Sequence, residues 1–212
     1  MEQLIDYINS YFKGNNILLI QDIIKNNPKL KPYVIRQFIS NQAKQNKLCR
    51  IGYGAYTLPE KDIFGEQQVT DPIKVITQKY ILNDKNLIGY YSGLTILNKL
   101  GICNQIPQIK EIVTNKEKSN KRDIEILGQK LILRKPASYI DNTNAYIMQF
   151  LDIMKNIDKY SDVDKNTIQK ILKKEYLNKV TYNDLKKYIN IAPDCVWKNI
   201  VRYDINEIFA WE

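Results

Sequence analysis

The basic residues in the N-terminal part of the chain are the side chains best suited to bind an anionic partner. Between Ile23 and Pro59 the sequence has no aspartate or glutamate. The same segment holds seven cationic residues, namely Lys25, Lys29, Lys31, Arg36, Lys44, Lys47 and Arg50. A local positive surface without acidic neighbours is typical of proteins that bind phosphate groups. The segment therefore predicts contact with a nucleic-acid backbone.

The residue types that most catalytic sites need are scarce. Histidine is absent, which excludes imidazole-based triads and histidine metal sites. Three cysteines, Cys49, Cys103 and Cys195, are too scattered for a disulfide framework or a thiolate metal site. The sequence also lacks a G-x-x-x-x-G-K-[ST] phosphate loop and a G-x-G-x-x-G motif. We therefore expect a protein that is not an enzyme and that holds no cofactor.

Two pairs of carboxylates are close enough in sequence to suggest a metal site. Asp123 and Glu125 would project from one face of a strand and could in principle bind Mg²⁺. Asp162 and Asp164 lie in a predicted loop. We favour a solvated strand face beside Arg122 for the first pair, and we expect no metal site. The paired aspartates that follow glycine-serine in nucleotidyltransferases are also missing.

The amino-acid composition indicates which broad class of protein the chain belongs to. The chain has 212 residues, of which 44% are hydrophobic and 26% charged, a balance typical of soluble globular proteins. Its formal net charge of +9 favours an anionic partner, although an AT-rich genome, which enriches lysine codons, would raise the lysine content as well. No apolar stretch is long enough to span a membrane, and the first residues do not form a signal peptide. We expect a cytoplasmic protein without a membrane partner.

Residues 1–60 have the element order of a winged helix. Apolar spacing predicts helices over about 2–12, 21–25 and 31–46, and Pro32 is compatible with the first turn of the third helix. Two strand-like segments, 48–51 and 55–58, flank the glycine-bearing turn at 52–54. In helix-turn-helix proteins the last helix enters the major groove and presents polar side chains to base edges. A winged helix used for protein contacts is the alternative.

The predicted recognition helix is the third helix, and the predicted wing is the hairpin formed by segments 48–51 and 55–58. Both fall inside the segment that lacks carboxylates. The third helix would bury Ile35, Phe38 and Ile39 and present its opposite face to the groove. The candidates for nucleic-acid contact are Lys31 at the start of that helix, Arg36, Gln37, Ser40, Asn41 and Lys44 on its exposed face, and Lys47, Arg50 and Tyr53 in the wing. We expect the helix residues to contact bases and the wing residues to contact phosphates or the minor groove.

The rest of the chain divides into two further regions. Residues 70–138 alternate helical and strand-like patterns and predict a small mixed α/β domain, in which Ser92 would cap a helix ending at Gly101. Residues 142–212 are helical throughout, with Asp164 and the pair Thr181 and Asp184 at predicted helix starts. The predicted fold class is therefore α+β, with an N-terminal winged helix, a mixed middle domain and a helical C-terminal block.

Two sequence blocks in this order are informative together. Residues 47–59 read KLCRIGYGAYTLP and residues 89–102 read GYYSGLTILNKLGI. The second block is followed by Gln105-Ile106-Pro107 and Ile112-Val113-Thr114-Asn115. Over residues 1–135 the chain resembles AbiEi-type proteins, the antitoxin components of the AbiE class of type IV toxin–antitoxin and phage-defence systems.

The resemblance implies a fold and a function. In that family a winged helix precedes a second domain built around the "SGL…LG" helix. The resemblance implies a transcriptional autoregulator that binds operator repeats in double-stranded DNA upstream of its own operon. It also implies counteraction of a nucleotidyltransferase-like toxin without a stable complex. A rival interpretation is a mobile-element or phage inhibitor protein that binds a host defence nucleoprotein or enzyme, and an adjacent toxin gene would favour the antitoxin.

Overall fold

The computed structural model describes residues 2–12, 17–52, 54–59, 71–83, 85–205 and 209. In this part of the chain nine α-helices and three small sheets form an α+β protein, as the sequence predicts. The chain divides into two compact units. The first contains Met1–Lys79 and Ile126–Gly128, and the second contains Tyr80–Glu125 and Gln129–Glu212. No helix of the described ranges is long and apolar enough to cross a membrane.

The first unit combines helices with a three-stranded antiparallel sheet. Its elements are α1 (Glu2–Phe12), β1 (Leu18–Leu19), α2 (Ile20–Asn26), α3 (Pro32–Lys44), β2 (Cys49–Gly52), β3 (Ala55–Thr57) and α4 (Pro72–Tyr80). The central strand β3 pairs with β1 on one side and with β2 on the other. The three helices and the hairpin that the sequence predicts over residues 2–58 are therefore present. The short apolar segment before α2 forms β1, which is the third strand of the sheet.

The core of the first unit forms where the apolar faces of its helices meet the sheet. Its buried members are Leu4, Ile8, Leu18, Ile23, Ile35, Phe38, Ile39, Leu48 and Tyr56. The predicted inward stripe of α3 is thus confirmed. Ile5 of α1 and Ile73 of α4 are apolar but lie outside this core, with 42% and 41% of their surface exposed. In α4 the neighbouring Val75 and Ile76 are fully buried, so the apolar face is rotated away from Ile73.

The second unit is a four-stranded sheet with helices. Its elements are β4 (Leu82–Asn83), β5 (Asn86–Leu87), β6 (Gly89–Ser92), α5 (Gly93–Lys99), β7 (Lys110–Thr114), β8 (Arg122–Ile126), β9 (Gln129–Arg134), α6 (Ala145–Tyr160), α7 (Lys165–Tyr176), α8 (Tyr182–Tyr188), a 3-10 turn (Ile189–Ile191) and α9 (Asp194–Arg202). The strands of the larger sheet are ordered β6-β7-β9-β8. Strand β7 pairs antiparallel with β6 but parallel with β9.

A single hydrophobic core joins the sheet and the C-terminal helices of the second unit. Tyr90 and Val113 from the strands and Leu97 from α5 belong to the same buried cluster as residues from α6 to α9, including Phe150, Met154, Ile168, Leu172, Leu185, Val196 and Ile200. Segments 70–138 and 142–212, which the sequence suggests as separate regions, therefore share a core from residue 90 onward. The predicted boundary at residue 60 lies outside the described residues, and the first unit continues to Lys79.

Helix termini follow the local chemistry of their sequences, with one exception. Asp164 accepts a hydrogen bond from the Thr167 amide at the start of α7, and Thr181 and Asp184 form a reciprocal capping box at α8. Ser92 occupies the N-cap position of α5 as predicted, but its side chain does not cap the helix, because the hydroxyl donates to the Asp152 carboxylate at 2.6 Å. In α9, Val196 and Ile200 are buried, whereas the neighbouring Trp197 is 47% exposed.

Candidate nucleic-acid interface

Helix α3 forms because its sequence favours each part of it. Lys31 has extended backbone angles at the N-cap, and Pro32 occupies the first helical position, where its missing amide proton costs no hydrogen bond. Ile35, Phe38 and Ile39 recur at three- and four-residue spacing and are buried in the core. The helix ends at Lys44, and Asn46 then adopts a positive φ of 56°. Burial of one face leaves the opposite face of α3 in solvent.

That opposite face carries the five side chains predicted to contact bases. Each of them is exposed, and they follow one another at spacings of one, three, one and three residues: Arg36, Gln37, Ser40, Asn41 and Lys44. At about 100° per residue they cover roughly 140° of the helix surface. We call these five residues the polar arc. Its members are an arginine, a lysine and three uncharged hydrogen-bonding side chains, so the arc has donors and acceptors but no carboxylate.

The β2–β3 hairpin lies directly after α3 in the same unit. Lys47, which precedes the hairpin, and Arg50 on β2 are both exposed. The ladder has an irregularity between Arg50 and Gly52, and Gly54 adopts a positive φ of 66° at the turn. The Gly54 carbonyl accepts a hydrogen bond of 2.9 Å from the amide of Ile20, which anchors the turn to the start of α2. Tyr53, the remaining candidate in the wing, lies outside the described residues.

The cations of this surface are free to meet an external anion. Lys31, Arg36, Lys44, Lys47 and Arg50 are all exposed, and within the described parts of the chain none of them forms an ion pair. The acidic residue that precedes this segment in sequence, Asp22, is only 7% exposed, and its carboxylate accepts a hydrogen bond from the Tyr11 hydroxyl at 3.4 Å. An unopposed positive surface favours binding of phosphate groups.

One exposed residue of α3 was not among the candidates. Tyr33, in the first turn of the helix, is 62% exposed. It precedes Arg36 by three residues and Gln37 by four, so it lies on the same face as the polar arc. An aromatic residue in a helix is normally assigned to the apolar face. The spacing of three and four residues between Tyr33 and the first two residues of the polar arc is the sequence feature that would have placed Tyr33 on the exposed face.

A second polar cluster, which is partly buried, lies in the second unit. The Asp152 carboxylate of α6 accepts hydrogen bonds from the Ser92 hydroxyl at 2.6 Å and from the Gly93 amide at 3.2 Å. Burial raises the pKa of Asp152, and the hydrogen bonds from Ser92 and Gly93 oppose that shift. Glu111 lies nearby and accepts a hydrogen bond of 3.0 Å from Arg134 Nε. Ser92 is only 3% exposed, so this cluster ties β6 and α5 to α6 and does not present a hydroxyl to solvent.

The two carboxylate pairs noted in the sequence have separate local roles. Asp123 and Glu125 are exposed on β8, and Asp123 lies 3.7 Å from Lys121 Nζ. Asp162 accepts from the Asn104 amide at 2.9 Å, and Asp164 caps α7. These hydrogen bonds lower the pKa of Asp162 and the pKa of Asp164. Among the residues that the structure describes, no three acidic or cysteine side chains are grouped as metal ligands.

Comparison with known proteins finds no family model that matches this chain and no curated protein that is significantly similar to it.

Proposed function

We propose that the first unit is a winged helix and that the protein is a sequence-specific regulator of transcription that binds double-stranded DNA. The observation that carries the proposal is the polar arc of α3, which is exposed, contains two cations and lies in a segment without carboxylates. A DNA-reading helix needs this combination, because its side chains must approach a polyanion and also form hydrogen bonds with base edges.

The connectivity of the first unit supports the winged-helix proposal. A helix and a short strand precede two further helices and a hairpin, and the short strand β1 pairs with the hairpin strand β3. The core residues of α3 fix the helix against α2 and the sheet, so that its polar face projects from a rigid support. The Gly54–Ile20 hydrogen bond likewise fixes the hairpin turn. Helix and hairpin would then contact DNA as one preorganised surface.

The exposed residues divide into two kinds of contact. Arg36, Gln37, Ser40, Asn41 and Lys44 would enter the major groove, where Arg and Lys pair best with guanine and Asn and Gln with adenine. Lys31, Lys47 and Arg50 would bind phosphates, and Tyr53 would contact the backbone or the minor groove. Phosphate contacts supply affinity for any duplex, and base contacts supply the preference for one sequence.

The resemblance to AbiEi-type proteins supports a narrower version of the proposal. The protein would bind operator repeats of its own promoter and repress its own operon. It would also act as an antitoxin in an AbiE-type (type IV) toxin–antitoxin and phage-defence system, opposing a nucleotidyltransferase-like toxin without a stable complex. In this version the protein is not an enzyme and needs no cofactor.

Substitution of Arg36 and Asn41 tests whether α3 contacts the bases of the DNA. Each Ala variant should lose about 1–3 kcal/mol of binding free energy on the protein's preferred duplex and tolerate base changes at a few positions. A matched control is the variant K170A/K174A, because both lysines are exposed on α7 of the second unit and form no ion pair in the described structure. Binding can be measured by fluorescence anisotropy on the preferred and scrambled duplexes. If Arg36→Ala and Asn41→Ala bind both duplexes as the wild type does, α3 is not the reading helix.

A further inference from the structure

Tyr33 leaves a large aromatic surface in solvent at the start of α3. At 62% it is the most exposed of the large apolar residues described in the first unit, ahead of Ile5, Leu58 and Ile73. No hydrogen bond joins its hydroxyl to any described residue. Neighbouring apolar residues of the same helix, Ile35 and Phe38, are buried in the core. The ring of Tyr33 therefore contributes little to the core and is available to a partner.

The position of Tyr33 is at the middle of the polar arc and not at its border. With about 100° per residue, Arg36 lies roughly 60° to one side of Tyr33 and Asn41 roughly 80° to the other, while Lys44 lies within about 20° of it. Tyr33 and Lys44 are about 16 Å apart along the helix axis. In a groove, residues at the borders of the arc face its walls, and residues on the midline, such as Tyr33, face its floor.

Tyr33 also differs in chemistry from the five residues of the polar arc. The five polar side chains can exchange hydrogen bonds with base edges, but only the Tyr33 ring offers an apolar surface. In the major groove the apolar group on the edge of a base pair is the C5 methyl of thymine, and apolar side chains recognise it by contact. Lys29 and Lys31 precede the ring in the chain and are exposed, so cations are present beside it for the flanking phosphates.

We infer that Tyr33 recognises thymine by packing its ring against the C5 methyl group in the major groove. The inference rests on the proposed function, because it requires α3 to enter the groove. It names one element of the recognised sequence, a thymine at the position that faces the N-terminal turn of α3. The ring makes the contact in this account, and the hydroxyl is dispensable.

Removal of single thymine methyl groups tests the contact directly. The preferred duplex is first selected with the full-length wild type from a pool of random sequences, and each thymine in it is then replaced in turn by uracil. One replacement should weaken wild-type binding about fourfold, the equivalent of about 0.8 kcal/mol for one buried methyl group. Tyr33→Ala should bind the unmodified duplex about four- to tenfold more weakly and should show no further loss with the uracil duplex.

Two further variants separate the ring from the hydroxyl and from general surface effects. Tyr33→Phe should retain the wild-type loss on replacement of thymine by uracil. Tyr139→Ala removes another exposed tyrosine, 71% exposed in the second unit, and should bind like the wild type. The melting temperature of each variant shows whether it is folded like the wild type. Replacement of an exposed side chain should change this temperature little.

The outcomes distinguish this inference from the proposed function. If selection with the wild type recovers no preferred duplex, the proposed function fails and the inference fails with it. If a duplex is recovered and the uracil effect persists in Tyr33→Ala, another residue contacts the methyl group and the inference alone is overturned. A Tyr33→Phe variant that binds as weakly as Tyr33→Ala would also overturn it, since the hydroxyl would then be the contacting group.

Discussion

Removal of the two cations beside and within the hairpin should weaken DNA binding without changing sequence preference. Lys47 and Arg50 are exposed and form no ion pair with described residues, so replacing both by alanine leaves no buried or unpaired group in the protein. The expected loss therefore comes from phosphate contacts alone. Preferred and scrambled duplexes should lose affinity by the same factor, because phosphates carry no sequence information.

The salt dependence gives this prediction its magnitude. Each phosphate contact contributes about 0.9 to the slope of log K against log salt concentration, so the double variant should reduce the slope by about 1.8. Between 50 and 200 mM salt, wild-type affinity should then fall about twelvefold more than the affinity of the variant. Anisotropy titrations at four salt concentrations, with K170A/K174A as the charge-matched control, measure both slopes. An unchanged slope in K47A/R50A, or an equal reduction in the control, would refute the assignment of phosphate contacts to the hairpin.

Three further predictions concern specificity, pH and the extent of the first unit. Gln37→Ala should alter base preference at one position with little change in salt slope, since Gln37 is exposed and uncharged; a changed slope in the same titrations would contradict its assignment as a base contact. Burial raises the pKa of Asp152 above 3.8, so its favourable contribution to folding is present below that pH and is lost as pH rises through the folded pKa. As pH rises through the folded pKa, the free energy of unfolding of Asp152→Asn should therefore increase relative to that of the wild type, by at most about 1.4 kcal/mol per pH unit. Urea denaturation at several pH values measures this difference, and a difference that does not change with pH would contradict the prediction. A fragment of residues 1–79 should melt at a higher temperature than residues 1–60, because Gln78 Nε2 of α4 donates to the Ile17 carbonyl at 2.7 Å and to the Tyr11 hydroxyl at 3.2 Å. Equal melting temperatures would show that α4 does not stabilise the fragment.

Features that depend on neighbours in sequence could be predicted from the sequence. The inward stripe of α3, the cap at Asp164 and the capping box of Thr181 and Asp184 each involve residues within one or two helical turns. Both elements of the proposed interface, the exposed face of α3 and the hairpin, are also of this kind. Their residue types and spacing alone indicate which side chains are exposed.

Features that depend on distant residues could not be predicted in this way. Ser92 has the sequence context of a helix cap, but its hydroxyl is taken by Asp152, 60 residues further along the chain. The parallel pairing of β7 with β9 and the core shared by Leu97 and Phe150 also arise from contacts between remote segments. Tyr33 is a different case, because its position follows from spacing but its residue type suggests burial.

The ratio of affinities for specific and scrambled DNA is the measurement that tests the proposed function most directly. The full-length protein should bind a duplex from its own promoter region at least about 10³-fold more tightly than a scrambled duplex of the same length and composition at physiological salt. A mobility-shift titration of the wild type on both duplexes gives this ratio. Equal affinity for the two duplexes would contradict sequence-specific binding by the polar arc and would leave only nonspecific attraction between a basic protein and a polyanion.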